Sequence, residues 1–348
     1  MALMDASVEQ YRGSAYRVGY LQGKKIDDSL ISKVSLLENK HLQLDKVKQF
    51  FRQFAPHIMD EISGLADALG MKTEKAVALF GGYGVPEVQG MGCSSVVNSR
   101  FAVRNYDFSP DIYDQRFMLI QPKECYASVG HSLHVIGRHE GVNEKGLFVA
   151  FHFVSKDRAK EGLTASMGVR MVLDCCQSTK EAIKMLKQLP HSWNYNFSLG
   201  DKNGHTAVVE ISPYGIKVRE NESTLRCTNH YQHKDLVSQN KVDYTESNNR
   251  ISYMKEKNME ELSGREVFDW FKSIDSPMFY RDYNNLFGTL HTFAYIYDTD
   301  LVLTSLLGGQ TLEIDWKDWL EGSNVKASFL TGNLVQVGSQ SVGGNHEG

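Results

Sequence analysis

The chain has no run of Lys or Arg of the kind that grips nucleic acid or an anionic membrane, and its net charge is −4. Nucleic-acid and charged-membrane partners are therefore not expected. No stretch approaches the ~18 apolar residues of a membrane helix, and the opening Met1-Ala2-Leu3-Met4-Asp5-Ala6 has no basic segment leading into an apolar one. These absences point to a cytoplasmic protein without a membrane partner. Paired cysteines are missing too: Cys93, Cys125, Cys175, Cys176 and Cys227 are odd in number and contain no C-x-x-C spacing. A disulfide framework and a zinc or redox pair are both excluded on that ground. His230-x-x-His233 lacks the third and fourth ligands a zinc ion needs, so neither metal nor cofactor is expected. The Asn221-Glu222-Ser223 sequon carries no meaning without secretion.

What is present is material for an ordinary enzyme. With 348 residues, 41% hydrophobic and 23% charged, the chain can bury a large core, and small-molecule chemistry is the natural expectation. Between residues 42 and 69 the apolar positions Val47, Phe50, Phe51, Phe54, Ile58, Met59, Ile62, Leu65 and Leu69 recur at helical spacing, with a break at Pro56. Residues 1–92 thus read as a helical leader, a pro-segment that would become a small subunit if cut away. It ends in Gly81-Gly82-Tyr83-Gly84-Val85-Pro86 and Gly90-Met91-Gly92, glycines suited to holding a bond in an exposed or strained geometry. The next residue is Cys93. Cleavage between Gly92 and Cys93 would give Cys93 both a thiol and a free α-amine, whose pKa near ~7.7–8.0 makes it a ready base at neutral pH. For each of the five cysteines the competing reading is a small buried hydrophobe.

After Cys93 the pattern turns to strands. Ser94–Val97 and Phe101–Tyr106 flank Asn98-Ser99-Arg100, read as a three-residue hairpin loop that lacks the usual glycine. If 97 and 101 close the loop, Cys93 lies opposite Asn105. Asp107 is then a same-face diagonal neighbour at roughly 7–8 Å, while Arg104 points away unless a bulge intervenes. Further strands are expected at Ser132–Ile136, Phe148–Val154, Asn194–Gly200, Ala207–Ser212, Ile216–Arg219, Leu225–Asn229, Gly288–Asp298, Leu301–Leu307 and Thr311–Asp315. Helices are expected at Gly168–Cys176, at Ser178–Leu189 behind Ser178-x-x-Glu181, and within Lys234–Ser273, where Ser263-x-x-Glu266 is a second capping box. The alternating Trp193, Tyr195 and Phe197 belong to a strand. Two groups of antiparallel strands with helices between them imply an α+β layered fold, and the segment after residue 337 reads as a disordered tail.

The order of these segments resembles the acyl-coenzyme A:6-aminopenicillanic acid acyltransferase-like family, and more distantly choloylglycine hydrolases and acid ceramidase. The likeness runs through Gly92-Cys93-Ser94-Ser95, Arg104-Asn105-Tyr106-Asp107, Asn143-Glu144-Lys145-Gly146-Leu147, Gly168-Val169-Arg170, Asn196 to Asp201, Val208 to Ser212, Cys227-Thr228-Asn229-His230 and Gly288-Thr289-Leu290. These are N-terminal-nucleophile enzymes, so the resemblance implies a four-layer αββα sandwich of two antiparallel sheets, with residues 93–348 as the catalytic domain. It implies Cys93 as nucleophile, Arg104 and Asp107 as its basic and acidic partners, Asn229 as an oxyanion-hole side chain, and Arg250 as a late active-site arginine. Where choloylglycine hydrolases place an asparagine before a phenylalanine, this chain reads Phe151-His152-Phe153, and His152 would take a related polar role. Three activities follow as expectations. The first is hydrolysis of linear amides of small acyl amines or N-acyl amino acids through a thioester. The second is acyl transfer to an amine, with coenzyme A or an amide as the acyl-donor substrate, and the third is an unprocessed, non-catalytic binding protein. Pocket loops rather than catalytic residues set the substrate, and the sequence leaves the oligomeric state open.

Overall fold

The computed structural model describes residues 2–334 except 37, 39–42, 85–91, 156, 158, 213, 214, 241, 242 and 284–286, so the expected tail after 337 lies outside the described residues. Before Cys93 come strand β1 (Ala2–Gly13), helices α1 (Ala15–Gly23), α2 (Asp28–Ser35), α3 (Leu44–Phe54), α4 (Pro56–Leu69) and α5 (Thr73–Phe80), and the short β2 (Tyr83–Gly84). Pro56 begins α4 at its first turn, where its missing N–H costs no hydrogen bond, which is why the long apolar periodicity splits there. Helices α1 and α4 cross with backbones in contact: a Cβ on Gly19 would lie 1.9 Å from the Glu61 carbonyl oxygen, and one on Gly64 2.0 Å from that of Tyr16. Only glycine fits at that crossing.

The strands that follow are β3 (Gly92–Asn98), β4 (Phe101–Phe108), β5 (Arg116–Pro122), β6 (Ser128–Leu133), β7 (Gly137–Arg138), β8 (Glu140–Asn143), β9 (Phe148–Ser155), β10 (Gly162–Leu163), β11 (Asn194–Gly200), β12 (Thr206–Ser212), β13 (Gly215–Arg219) and β14 (Thr224–Cys227). After them come β15 (Arg281–Asp282), β16 (Phe287–Ile296), β17 (Leu301–Leu306), β18 (Leu312–Asp315) and β19 (Phe329–Leu334). The later helices are α6 (Ala165–Cys175), α7 (Thr179–Gln188), α8 (Thr245–Glu256), α9 (Gly264–Lys272) and α10 (Trp316–Leu320). The box at Ser263 forms with both reciprocal hydrogen bonds, whereas Ser178 caps α7 through Glu181 N–H alone.

Among the described residues a ten-stranded sheet runs β13-β12-β11-β9-β8-β6-β5-β1-β19, with β7 on β6, and a seven-stranded sheet runs β14-β3-β4-β16-β17-β18, with β15 on β16. All pairings within these two sheets are antiparallel except β1 with β5. The sheets pack face to face over a core that includes Val97, Tyr106, Phe117, Phe148, Phe151 and Phe293. Helices α1, α6 and α7 cover the large sheet, with α4 packed on α1, while α8 and α9 cover the small one through Val96, Phe101, Val103, Ile251, Met254, Val267 and Phe268. The architecture is the expected αββα sandwich. One expectation needs correction: the segment before Cys93 is not wholly helical, because β1 lies inside the large sheet between β5 and β19. Among the described residues no helix is long and apolar enough to cross a membrane.

Candidate active site

The β3–β4 hairpin determines which side chains meet Cys93. Its loop has two residues rather than three, because Asn98 Oδ1 accepts the N–H groups of Arg100 at 2.9 Å and Phe101 at 3.0 Å. The asparagine side chain closes the turn in place of the expected glycine. The register slips by one: Cys93 pairs with Tyr106, Gly92 with Asp107, Ser94 with Asn105 and Ser95 with Arg104. A one-residue slip exchanges the faces of a strand, so the expected roles of Arg104 and Asp107 are reversed. Arg104 shares the inner, inter-sheet face with Cys93. Asp107 lies on the outer face toward α8.

On the inner face Arg104 is fully buried, and its Nη2 donates to Cys93 Sγ at 3.1 Å and to the Phe151 carbonyl at 3.1 Å. Its Nη1 forms a tight ion pair with Glu140. Burial pushes the Cys93 thiol above its ordinary range and Asp107 adds to this, while Arg104 and Arg250 pull it back. His152 on β9 is buried beside Ser95, with its Nε2 3.1 Å from Ser95 Oγ and 3.0 Å from Ser198 Oγ. Burial first, then Arg104 and Arg250, keep that imidazole well below its ordinary range and hence neutral at pH 7. Its Nε2 serves two serines rather than the thiol.

On the outer face Arg250 gathers what the hairpin separates. Its Nη1 donates to the Cys93 carbonyl at 2.7 Å, Ser94 Oγ at 3.0 Å and Asp107 Oδ2 at 3.3 Å, and its Nη2 donates to Asn229 Oδ1 at 2.8 Å. The Cys93 N–H donates to the same Asn229 Oδ1 at 2.8 Å, while Asn229 Nδ2 donates to the Phe153 carbonyl at 2.7 Å. Two donors on one atom and a carbonyl facing the other fix the orientation of the Asn229 amide. Asp107 Oδ1 accepts from Thr289 Oγ1 at 2.7 Å. Burial pushes the Asp107 carboxyl above its usual range, opposed by Arg250, Thr289 and Arg104.

The bulge that the sequence seemed to need on β4 occurs on its neighbour β16, where the register shifts between Thr289 and His291. Residues two apart on a regular strand share a face; the extra Leu290 lets Thr289 serve Asp107 outside and His291 serve Glu140 inside. Thr289, His291 and Glu140 were all missed from sequence. The one available signal for Glu140 was the polar run Arg138-His139-Glu140 before an apolar strand.

The Gly92–Cys93 bond is neither exposed nor at positive φ, contrary to the geometry expected of a glycine-rich junction: both residues lie buried in β3. A Cβ on Gly92 would lie 2.4 Å from the Phe287 ring, so close packing accounts for this glycine. His230 is occupied by Ser247 and Thr228, and His233 by Asp235, so the His230-x-x-His233 pair does not converge on a metal.

Arg104, Asp107, Asn229 and Arg250 therefore all gather on Cys93 or its direct partners. Residues 96–309, more than half of the chain, match the sequence profile described as acyl-coenzyme A:6-aminopenicillanic acid acyl-transferase, a match that opens three residues after Cys93. No curated protein sequence matches the chain. Among solved structures, penicillin V acylase from Agrobacterium tumefaciens is 15% identical with a TM-score of 0.40, over 65% of this chain and 86% of its own. A mutant conjugated bile acid hydrolase from Clostridium perfringens is 14% identical with a TM-score of 0.43, over 71% and 98%. The Caenorhabditis elegans ortholog of N-acylethanolamine-hydrolyzing acid amidase is 14% identical with a TM-score of 0.41, over 59% and 93%. The profile match decides the assignment: the chain belongs to the acyl-coenzyme A:6-aminopenicillanic acid acyl-transferase family.

Proposed function

We propose that this enzyme is an autoprocessing cysteine amidohydrolase that cleaves linear amides of small acyl amines or N-acyl amino acids through a thioester. One observation carries the reading: different side chains hold the two ends of Cys93, Arg104 on Sγ at 3.1 Å and Asn229 on the backbone nitrogen at 2.8 Å. A structural cysteine needs no anchor on its nitrogen beyond the strand ladder. A cysteine destined to become an amino terminus does.

In maturation Sγ attacks the Gly92 carbonyl carbon, the carbon–sulfur bond forms, and the Gly92–Cys93 amide bond breaks as its nitrogen takes a proton to become the amine. Water then hydrolyses the thioester, releasing the Gly92 carboxylate and restoring the thiol. Residues 1–92 and 93–348 would be the two products. In turnover the thiol gives its proton to the α-amine as sulfur attacks the substrate carbonyl, and the amine passes that proton to the leaving nitrogen. A water then gives a proton to the amine as its oxygen attacks the thioester carbonyl, the carbon–sulfur bond breaks to release the acid, and the amine returns its proton to the sulfur. Arg104 favours thiolate, Arg250 and Asp107 orient Cys93 and Asn229, and the second N–H of Asn229 Nδ2 is the donor this reading assigns to the oxyanion. Losing such a donor lowers kcat by about 10²–10³. The substrate is a cytoplasmic small molecule, with no nucleic acid, membrane, cofactor or metal involved.

The family description favours a second reading, acyl transfer, in which an amine rather than water meets the thioester and coenzyme A serves as an acyl donor. Incubation with N-acyl amino acids, and separately with acyl-coenzyme A plus a free amine, followed by product identification, ranks the two. An acyl adduct trapped on the fragment beginning at Cys93 supports both. Undiminished turnover by Cys93→Ala would defeat both.

A further inference from the structure

Behind Arg104, on the side away from Cys93, lies a chain of buried polar side chains that the proposed chemistry does not use. Glu140 Oε2 accepts from Arg104 Nη1 and from His291 Nε2 at 2.8 Å, while Oε1 accepts the His131 backbone N–H at 3.2 Å. The Tyr113 hydroxyl lies 2.8 Å from His291 Nδ1 and 2.9 Å from His131 Nδ1, and His131 Nε2 lies 2.8 Å from Thr304 Oγ1. All five residues are at most 1% exposed.

A carboxylate paired with arginine only accepts, and that fixes the protons between His131 and Glu140. His291 donates from Nε2, so its Nδ1 is bare and takes the Tyr113 proton. The Tyr113 oxygen then accepts from His131 Nδ1–H, whose bare Nε2 faces the Thr304 hydroxyl, which also donates to the Thr292 carbonyl at 3.2 Å. Burial holds both imidazoles well below their ordinary range, with His291 adding to the effect on His131 and Arg104 to that on His291, so both carry the single proton this assignment requires. The donors run one way, from His131 to Glu140. His131, Glu140 and His291 cluster closely enough to suggest a metal, but the two rings stack at 3.8 Å and one hydroxyl occupies both Nδ1 atoms, so each imidazole nitrogen is already used. Thr304, His291 and Arg104 come from the small sheet, His131 and Glu140 from the large one, and Tyr113 from the segment before β5.

We infer that Glu140 is a positioning residue: fixed by this chain, its carboxylate keeps the Arg104 guanidinium forked between itself and the Cys93 thiol, and so sets how much of the Arg104 charge the thiol feels. This rests on the reading of Cys93 as nucleophile. The other titratable groups around the thiol are Tyr106 and Asp107 on β4, Arg250 on α8, His152 on β9, Cys227 on β14, and His139 stacked on Tyr106. A substitution at Glu140 leaves all of them in place.

The test is the rate of Cys93 alkylation by iodoacetamide against pH, read by peptide mass spectrometry on the purified protein. Glu140→Gln keeps an acceptor for Arg104 and removes the charge, so the alkylation midpoint falls by about one pH unit and the rate below it rises about tenfold. Glu140→Asp keeps the charge, and its midpoint stays within roughly a third of a unit of wild type. A folded Glu140→Gln protein whose curve superimposes on wild type overturns the proposal. Should that variant not fold, Arg104→Lys decides. One ammonium cannot fork between Glu140 and sulfur, so the midpoint rises by about a unit, and an unchanged midpoint overturns the proposal. If wild-type Cys93 resists alkylation and Cys93→Ala still turns over, Cys93 is not the nucleophile, and the inference falls for that separate reason.

Discussion

Two groups of buried ion pairs, one under the helices of the first 92 residues and one around the β3–β4 hairpin, use their arginines differently. In the first, Arg116 donates Nε and Nη2 to Glu9 at 2.9 Å each, and Gln22 links Arg116 at 3.3 Å to Glu61 at 2.6 Å. Arg170 pairs there with Glu61 at 2.5 Å and with Asp174 at 2.8 Å, and His57 also reaches Asp174 at 2.8 Å. The side-chain partners of these arginines are carboxylates and one carboxamide. In the second group Arg104 and Arg250 each satisfy one carboxylate and extend a further hydrogen bond to Cys93, on sulfur and on the carbonyl. A buried ion pair is therefore no mark of a site by itself. An arginine with an arm left over for a nucleophile is. The first group spans position 92, since Glu9, Gln22, His57 and Glu61 precede it while Arg116, Arg170 and Asp174 follow, so it fastens residues 1–92 to the rest.

Substitutions that break one group and spare the other sharpen this contrast. The largest effect belongs to Cys93→Ala, which reduces turnover to background in a product assay while leaving the thermal unfolding midpoint close to wild type. Next comes Arg170→Met, which strands Glu61 and Asp174 without their cation. It costs about 3–5 kcal/mol of stability in urea titrations, yet leaves the Cys93 alkylation curve of the folded protein unchanged. A shifted curve would mean that the two groups are coupled.

Acid comes third. Against burial, which raises it, Arg116, Tyr11 and Ser7 hold the Glu9 carboxyl down at about 2 from 4.5. A carboxyl lowered on folding stabilises the protein fully above its unfolded value and loses that contribution as pH falls toward the folded one. About 3 kcal/mol should therefore disappear between pH 4.5 and 2, and Glu9→Gln should flatten urea midpoints across that window. The smallest effect is expected of Asn98→Ala, which loses both hydrogen bonds closing the hairpin and costs about 1–2 kcal/mol. Its readout separates turn from register: the Cys93 alkylation midpoint, held down by Arg104, should stay at the wild-type value if the two-residue loop survives.

Much of the sandwich was legible because its signals are local. Pro56 splits α3 from α4, Ser263-x-x-Glu266 caps α9, and Asn203-Gly204 turns the β11–β12 hairpin. Strand β1 was missed because its alternation is blurred: Glu9 is buried against Arg116 while Leu3 is exposed. The site was half legible. Cys93, Arg104, Asp107, Asn229 and Arg250 do converge, but the faces of Arg104 and Asp107 depended on one residue of register, decided by the Asn98 side chain rather than by any glycine signal. Glu140 and His291 stayed hidden for a different reason. Glu140 reaches from the large sheet to Arg104 and His291 on the small one, and no spacing along the chain encodes that meeting.

The most direct test of the account is intact-mass analysis of purified wild type and Cys93→Ala under denaturing conditions. The account predicts two fragments divided between Gly92 and Cys93 in wild type and a single uncut chain in the variant. An uncut wild type that nevertheless turns over substrate would contradict it.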